Sequence, residues 1–263
     1  MHCTRLYLIV IFVLAGLVAC NPSPETTSPT LRLSDVEQAE QDSALTQLSN
    51  LNRHAIDRAF AHLPQLQYLH TQQFEQFDVQ GDPMAYRRTS VQYRGSLTAR
   101  TAEQTQVDTR GNFSTSFWGK QTDLLREDTT SLARLILPLE PAYLSPRGQE
   151  TYHYQILSDS VLDGLEVHRI EVKARPGLGD QQPLRRVLLY FETTSDEVIG
   201  IHVERVQSSM LYDERSSFYL QLQAGPVANW LPHHVRLETR TQALFFDPLH
   251  YRRVSTYSDF QNR

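Results

Sequence analysis

The amino-acid sequence predicts an α+β chain, mainly β, in which a curved antiparallel sheet (an incomplete β-barrel) wraps around an N-terminal amphipathic helix. Three observations predict it. Residues 34–63 repeat apolar side chains at three-to-four spacing, the period of a helix with one buried stripe. From Tyr68 onward the period falls to two, in about ten successive runs. Short turn signals separate most of these runs, which makes antiparallel neighbours of consecutive strands.

The helix is expected over 34–63. Ser34 and Glu37 have the spacing of a capping box, and Pro64 stops the element. The stripe runs through Val36, Ala39, Ala44, Leu45, Leu48, Leu51, Ala55, Ile56, Ala59, Phe60 and Leu63. Gln47, Asn50, Arg53, Asp57 and Arg58 occupy the other side. A single apolar stripe must lie on something, and the expected partner is the sheet.

Strands are expected within 66–263, at Tyr68–Val79, Tyr86–Ala99, Thr105–Ser116, Thr151–Leu157, Leu165–Ala174, Arg186–Thr193, Val198–Gln207, Phe218–Gln223, His234–Leu244 and Arg252–Tyr257. Alternation places Tyr152, Tyr154 and Ile156 on one face, as it does Val187, Leu189 and Phe191. Gly81-Asp82-Pro83, Asp163-Gly164, Arg175-Pro176-Gly177 and Asp247-Pro248 supply turn chemistry. The alternation slips by one at His168-Arg169, which predicts a bulge there.

Residues 120–146 break the pattern. Asp128-Thr129-Thr130-Ser131 has the chemistry to cap a short helix, and Pro138, Pro141 and Pro146 break the chain after it. The stretch is unusually apolar for a loop. Two readings stand side by side: it plugs one end of the sheet as core, or it forms a mobile mouth over an apolar cavity. On the second reading the ligand-contacting candidates are Leu132, Leu135, Ile136, Leu137, Tyr143 and Leu144, with Trp118 and Trp230 beside them.

The N-terminus reads differently from the rest. Arg5 is the only charge before an apolar run from Leu6, and small residues follow at Ala15, Gly16 and Ala19. Leu6–Val18 is shorter than the roughly 20 residues that cross a bilayer. Leu17-Val18-Ala19-Cys20 looks like a bacterial lipobox, with Cys20 the lipidated residue. The expected organisation is a signal peptide over 1–19, a lipidated cysteine and proline-broken tether over 20–33, and one domain over 34–263. Only two cysteines occur, Cys3 and Cys20, so the domain itself has no disulfide, cysteine-zinc site or cysteine nucleophile. Asn21 stands where an inner-membrane retention signal would place aspartate, which implies the outer membrane.

The formal net charge is −5 and basic residues do not cluster, which argues against nucleic-acid binding. His54 and His62 lie too far apart on the helix to share a metal, and adjacent His233 and His234 face opposite sides of a strand. His153, His168 and His202 stand isolated. No Gly-x-Ser-x-Gly elbow or glycine-rich phosphate loop is present. No catalytic residue, metal ligand or cofactor is assigned.

The lipobox with its leading amphipathic helix is one of three features that resemble one superfamily. The others are the antiparallel strands interrupted by an apolar Leu-Leu-Pro-type segment, and the C-terminal stretches Gly225–Pro232 and Tyr257-Ser258-Asp259-Phe260. In these the chain resembles the outer-membrane lipoprotein-sorting proteins, the Lol-type carriers and receptors. That resemblance spans roughly residues 45–260 and implies an incomplete β-barrel around helices, with an apolar cavity for acyl chains. It implies a receptor-like member, since a lipid-anchored chain does not shuttle. The expected function is a non-catalytic envelope lipoprotein that binds lipid or another apolar ligand in a half-barrel cavity. Its partners would be the membrane (through the N-terminal lipid), an acyl-chain ligand and an envelope protein. The alternatives are an envelope protein–protein interaction module without a cavity, and an extracytoplasmic hydrolase.

Overall fold

The computed structural model describes residues 35–49, 54–96, 99–113, 142–177, 182–225, 230–244 and 246–261. The predicted signal peptide, Cys20 and the tether lie outside them. Two helices, α1 (Asp35–Ser49) and α2 (His54–His62), occupy the predicted helical stretch, on either side of residues 50–53, which are not described. A 3-10 turn, Leu63–Gln65, leads into the sheet.

The strands are β1 (Gln67–Phe77), β2 (Pro83–Ser96), β3 (Ala99–Arg110), β4 (Tyr152–Leu162), β5 (Leu165–Ala174), β6 (Leu184–Glu192), β7 (Val198–Ser208), β8 (Tyr212–Ala224), β9 (Trp230–Ala243) and β10 (Phe246–Gln261). A short helix, α3 (Pro146–Thr151), precedes β4; Ser145 caps it by accepting the Gly148 N–H at 3.0 Å. All ten strands form one antiparallel sheet in the order β3-β2-β1-β10-β9-β8-β7-β6-β5-β4. The sheet is open, with β3 and β4 as its edges.

Every pairing but one joins sequence neighbours, and the exception places β1 against β10. That pairing brings the first and last strands together in the interior of the sheet. Asp163 and Gly164 turn β4 into β5 with φ of 48° and 81°, the two positive values that a two-residue type I′ hairpin needs. The predicted irregularity near His168 is present in the β4–β5 ladder, between the pairs Leu157–Arg169 and Ser160–Val167. The extra residue belongs to β4, not β5.

The two sides of the sheet are set by the pairing. One row runs Tyr154, Val172, Val187, Val203, Phe218 and Leu237 across β4 to β9. This side faces the core and is the inner face. α1 docks on β4, and α2 on β9 and β7. Their buried residues Ala44, Leu48, Ala55, Ile56, Ala59 and Phe60 join Ile170, Val187, Leu189, Ile201 and Leu220 in one cluster. Among the described residues the predicted stripe holds from Ala44 onward, whereas Val36 is 70% exposed; Leu51 lies outside them. Gln41 is buried instead, because its side-chain oxygen accepts the Arg175 guanidinium at 3.0 Å. Arg175 also donates to the Tyr152 carbonyl at 2.8 Å, so it ties α1 to the start of β4.

Candidate functional site

Of the residues expected to contact a ligand, Trp118, Leu132, Leu135, Ile136 and Leu137 lie outside the described residues. Tyr143, Leu144 and Trp230 lie within them. Tyr143 sits on a 3-10 turn, Ala142–Leu144, and is 1% exposed. Its carbonyl accepts the Tyr154 hydroxyl, and its ring meets Tyr152 edge-on at 6.5 Å. Burial pushes the Tyr154 hydroxyl well above the ordinary tyrosine range, so that group acts as a neutral donor. Leu144 packs, partly buried, against the same cluster.

Trp230 opens β9 and is 8% exposed. Its indole N–H donates to Glu197 at 2.9 Å, and the same carboxylate takes the Arg58 guanidinium from α2. Trp230 is therefore the partner of a half-buried ionic contact that fixes α2 to the sheet. β4 and β9 run in opposite directions, so Tyr143 at the start of one and Trp230 at the start of the other lie at opposite ends of the strands. The structure groups Tyr143 with Leu144 and leaves Trp230 apart.

A second constellation occupies the inner face where β1 meets β10. The row of Tyr257 holds His70 and Val91; the row of Ser255 holds Gln72, Thr89 and Val235; the row of Arg253 holds Phe74, Arg87 and Leu237. His70 stacks on Tyr257 at 4.5 Å, and the Phe60 ring of α2 meets Tyr257 edge-on at 6.4 Å. Phe74 stacks on Tyr251 at 5.5 Å and lies 5.1 Å from Phe113. Arg253 is 4% exposed and Ser255 1%. Among the described residues, Ser255 Oγ and His70 Nε2 are buried without a hydrogen-bond partner. Burial, with Arg253 nearby, lowers the His70 pKa to about 4, so the imidazole is neutral at pH 7.

The outer face of the same strands is built differently. Arg252 donates to Glu75 at 2.6 Å, and His250 lies 2.8 Å from Glu238, which Arg240 also approaches at 3.4 Å. Cations there sit beside carboxylates. Sequence reading missed the inner constellation although its signal was present. Arg252 and Arg253 stand out in the sequence only as an adjacent basic pair. In a strand, two neighbours face opposite sides, so one of them has to share a face with Tyr251, Ser255 and Tyr257.

No group of three or more His, Cys, Asp or Glu side chains suited to a metal ion occurs among the described residues. No helix among them is long and apolar enough to cross a membrane.

No protein-family model matches the chain, and no curated protein matches it. Solved structures similar to it include an outer membrane lipoprotein-sorting protein domain from Vibrio parahaemolyticus, with 10% identity, coverage of 85% of this chain and 93% of that one, and a TM-score of 0.31. A LolA superfamily protein from Nitrosomonas europaea matches with 13% identity over 86% and 93% of the two chains and a TM-score of 0.23. A DUF1329 family protein from Desulfovibrio piger matches with 9% identity over 85% and 93%, and a TM-score of 0.28. At such TM-scores these likenesses carry no weight for function, which has to come from the chain itself.

Proposed function

We propose that the protein is a non-catalytic envelope lipoprotein, anchored through Cys20, that holds a lipid or another apolar ligand against the inner face of an incomplete barrel. The observation that supports this most is the inner face at β1 and β10. There the aromatic group Phe74, Tyr251 and Phe113 continues the apolar surface beyond β4, β7 and β9, where the helices chiefly dock. Burying an acyl chain on such a surface is worth about 0.8 kcal/mol per methylene. The apolar stretch through Leu132, Leu135, Ile136 and Leu137 is the proposed gate, with Tyr143 and Leu144 as its fixed end and Trp118 at the mouth. The anchor and tether keep the site near the outer membrane.

Native mass spectrometry and lipid extraction of gently purified protein test the reading. A co-purifying lipid beyond the N-terminal acyl groups is the expected result. Protein that carries only those groups and takes up no added apolar ligand would defeat it. Cys20→Ser should move the protein from the membrane fraction to the soluble one.

One observation favours an envelope protein partner as a second reading. β3 is an edge strand whose residues 101–110 are all exposed, and among the described residues no strand pairs with its outer ladder of backbone donors and acceptors. Crosslinks from β3 to one envelope protein, without bound lipid, would support that reading over the first.

A further inference from the structure

The rows of Tyr251, Arg253 and Ser255 span the inner faces of β2, β1, β10 and β9, and the row of Tyr257 spans those of β2, β1 and β10. Their basic members are Arg87, Arg253 and His70, and the paired residues include no aspartate or glutamate. This is unusual for a chain whose net charge is −5. It contrasts with the outer face one residue away, where Arg252 has Glu75. Whatever else the Arg253 guanidinium bonds, the strand faces around it are cationic or neutral.

Four polar groups converge at this place. Arg253 and Ser255 stand two residues apart on one side of β10, and Gln72 pairs with Ser255 from β1. His70 lies on the next row, stacked on Tyr257. Ser255 Oγ and His70 Nε2 have no partner among the described residues. A buried hydroxyl or ring nitrogen left unpaired costs about 1–3 kcal/mol, and the deficit ends when an acceptor arrives. Directly beside them Phe74, Tyr251 and Leu237 form an apolar wall. A cationic, donor-bearing stretch of the inner face flanked by aromatic rings suits a molecule with an anionic oxygen group at one end and a hydrocarbon tail.

We propose that the inner face around Arg253, Ser255 and His70 binds the anionic oxygen head of an amphiphile, a carboxylate or a phosphate ester, while the tail lies along Phe74, Tyr251 and Leu237. This rests on the ligand-binding reading under Proposed function and names the ligand class. Arg253 supplies charge and paired N–H donors, Ser255 donates its hydroxyl, and neutral His70 donates through Nε2–H in the tautomer that the anion selects.

The test compares dodecanoate, dodecanol and inorganic phosphate by calorimetry on the purified protein. Dodecanoate should bind at least about tenfold more tightly than dodecanol, equivalent to about 1.4 kcal/mol. Arg253→Met should bring the two within about twofold of each other, chiefly by weakening dodecanoate binding, while Arg253→Lys should keep part of the preference. Because Arg253→Met is a change at a buried position, the His70 imidazole resonances of the unmodified protein give a second readout. They should shift with dodecanoate and not with dodecanol. Equal affinity for the two ligands, with His70 unmoved, overturns the anionic-head inference and leaves the lipid reading standing. Tight phosphate binding without dodecanoate or dodecanol binding makes this a free-anion site and overturns both. Binding of none of the three also overturns both.

Discussion

Glu197 is the residue whose removal should reveal most about how α2 is held. It is 7% exposed and receives two donors, the Trp230 indole N–H at 2.9 Å and the Arg58 guanidinium. Glu197→Ala leaves the indole N–H buried without an acceptor, which costs about 1–3 kcal/mol. The Arg58 side chain is 48% exposed, so its share is screened by water and adds no more than about 1 kcal/mol. The expected loss is roughly 1–4 kcal/mol, or a fall in Tm of roughly 2–16 °C for a chain of this size. Glu197→Gln keeps an acceptor for the indole and should lose only about 1 kcal/mol. The assay is urea unfolding followed by far-ultraviolet circular dichroism. In a Trp230→Phe background the N–H is gone, so Glu197→Ala should cost about 1–2 kcal/mol less than in the parent. An equal cost in both backgrounds, or a loss below about 0.5 kcal/mol in the parent, would refute the reasoning.

The same geometry sets three further outcomes. His70 has a folded pKa of about 4, below its unfolded value of 6.5, so the unfolded chain takes up its proton first as pH falls. Stability is therefore lost between pH 6.5 and 4, by roughly 3 kcal/mol from this residue, and His70→Phe should remove that part of the slope in urea midpoints measured across the window. Gly111 has φ of 71°, and a Cβ there would lie 2.2 Å from the Met84 carbonyl oxygen, so Gly111→Ala should cost about 2 kcal/mol or more in urea unfolding. Arg175→Ala removes the ties to Gln41 and Tyr152, and α1 amides should exchange faster with solvent while the β6–β8 amides keep their protection.

Much of the fold is legible in the sequence because period and turn chemistry agree. β5 occupies its predicted span, Leu165–Ala174, since Asp163-Gly164 and Arg175-Pro176-Gly177 bound it with residues that strands reject. β8 begins at Tyr212, earlier than the predicted Phe218. Residues 212–217 carry no apolar alternation; they are held as strand by pairing with β7 and β9, which no local pattern announces. The pairing of β1 with β10 is equally invisible in the sequence, because it joins the two ends of the sheet-forming chain. The candidate site depends on that pairing. His70 and Arg253 are far apart in sequence and share a face only once Phe74 is opposite Arg253. Glu197 follows Ser195-Asp196, a pair with turn chemistry that would leave it in solvent, yet Arg58 and Trp230 draw it into the core.

The division of the inner face has a geometric cause. Ten strands spaced about 4.8 Å apart span over 40 Å, whereas a helix with its side chains is about 10 Å wide. α1 and α2 dock chiefly on β4, β7 and β9, and the inner rows there are aliphatic: Val172, Val187, Leu189, Ile201, Leu220. At β1 and β10 the composition changes to Phe74, Tyr251, His70, Ser255 and Arg253. Packing alone favours aliphatic rows throughout, because each buried polar group without a partner is a penalty. Replacing Ser255 by alanine or His70 by phenylalanine would relieve that penalty in a face whose only task was to be filled. Keeping them costs stability, and the natural compensation is a bound group that takes up their hydrogen-bonding capacity. The helix-covered rows are thus the scaffold, and the β1–β10 rows of the same face are where the proposed ligand site lies.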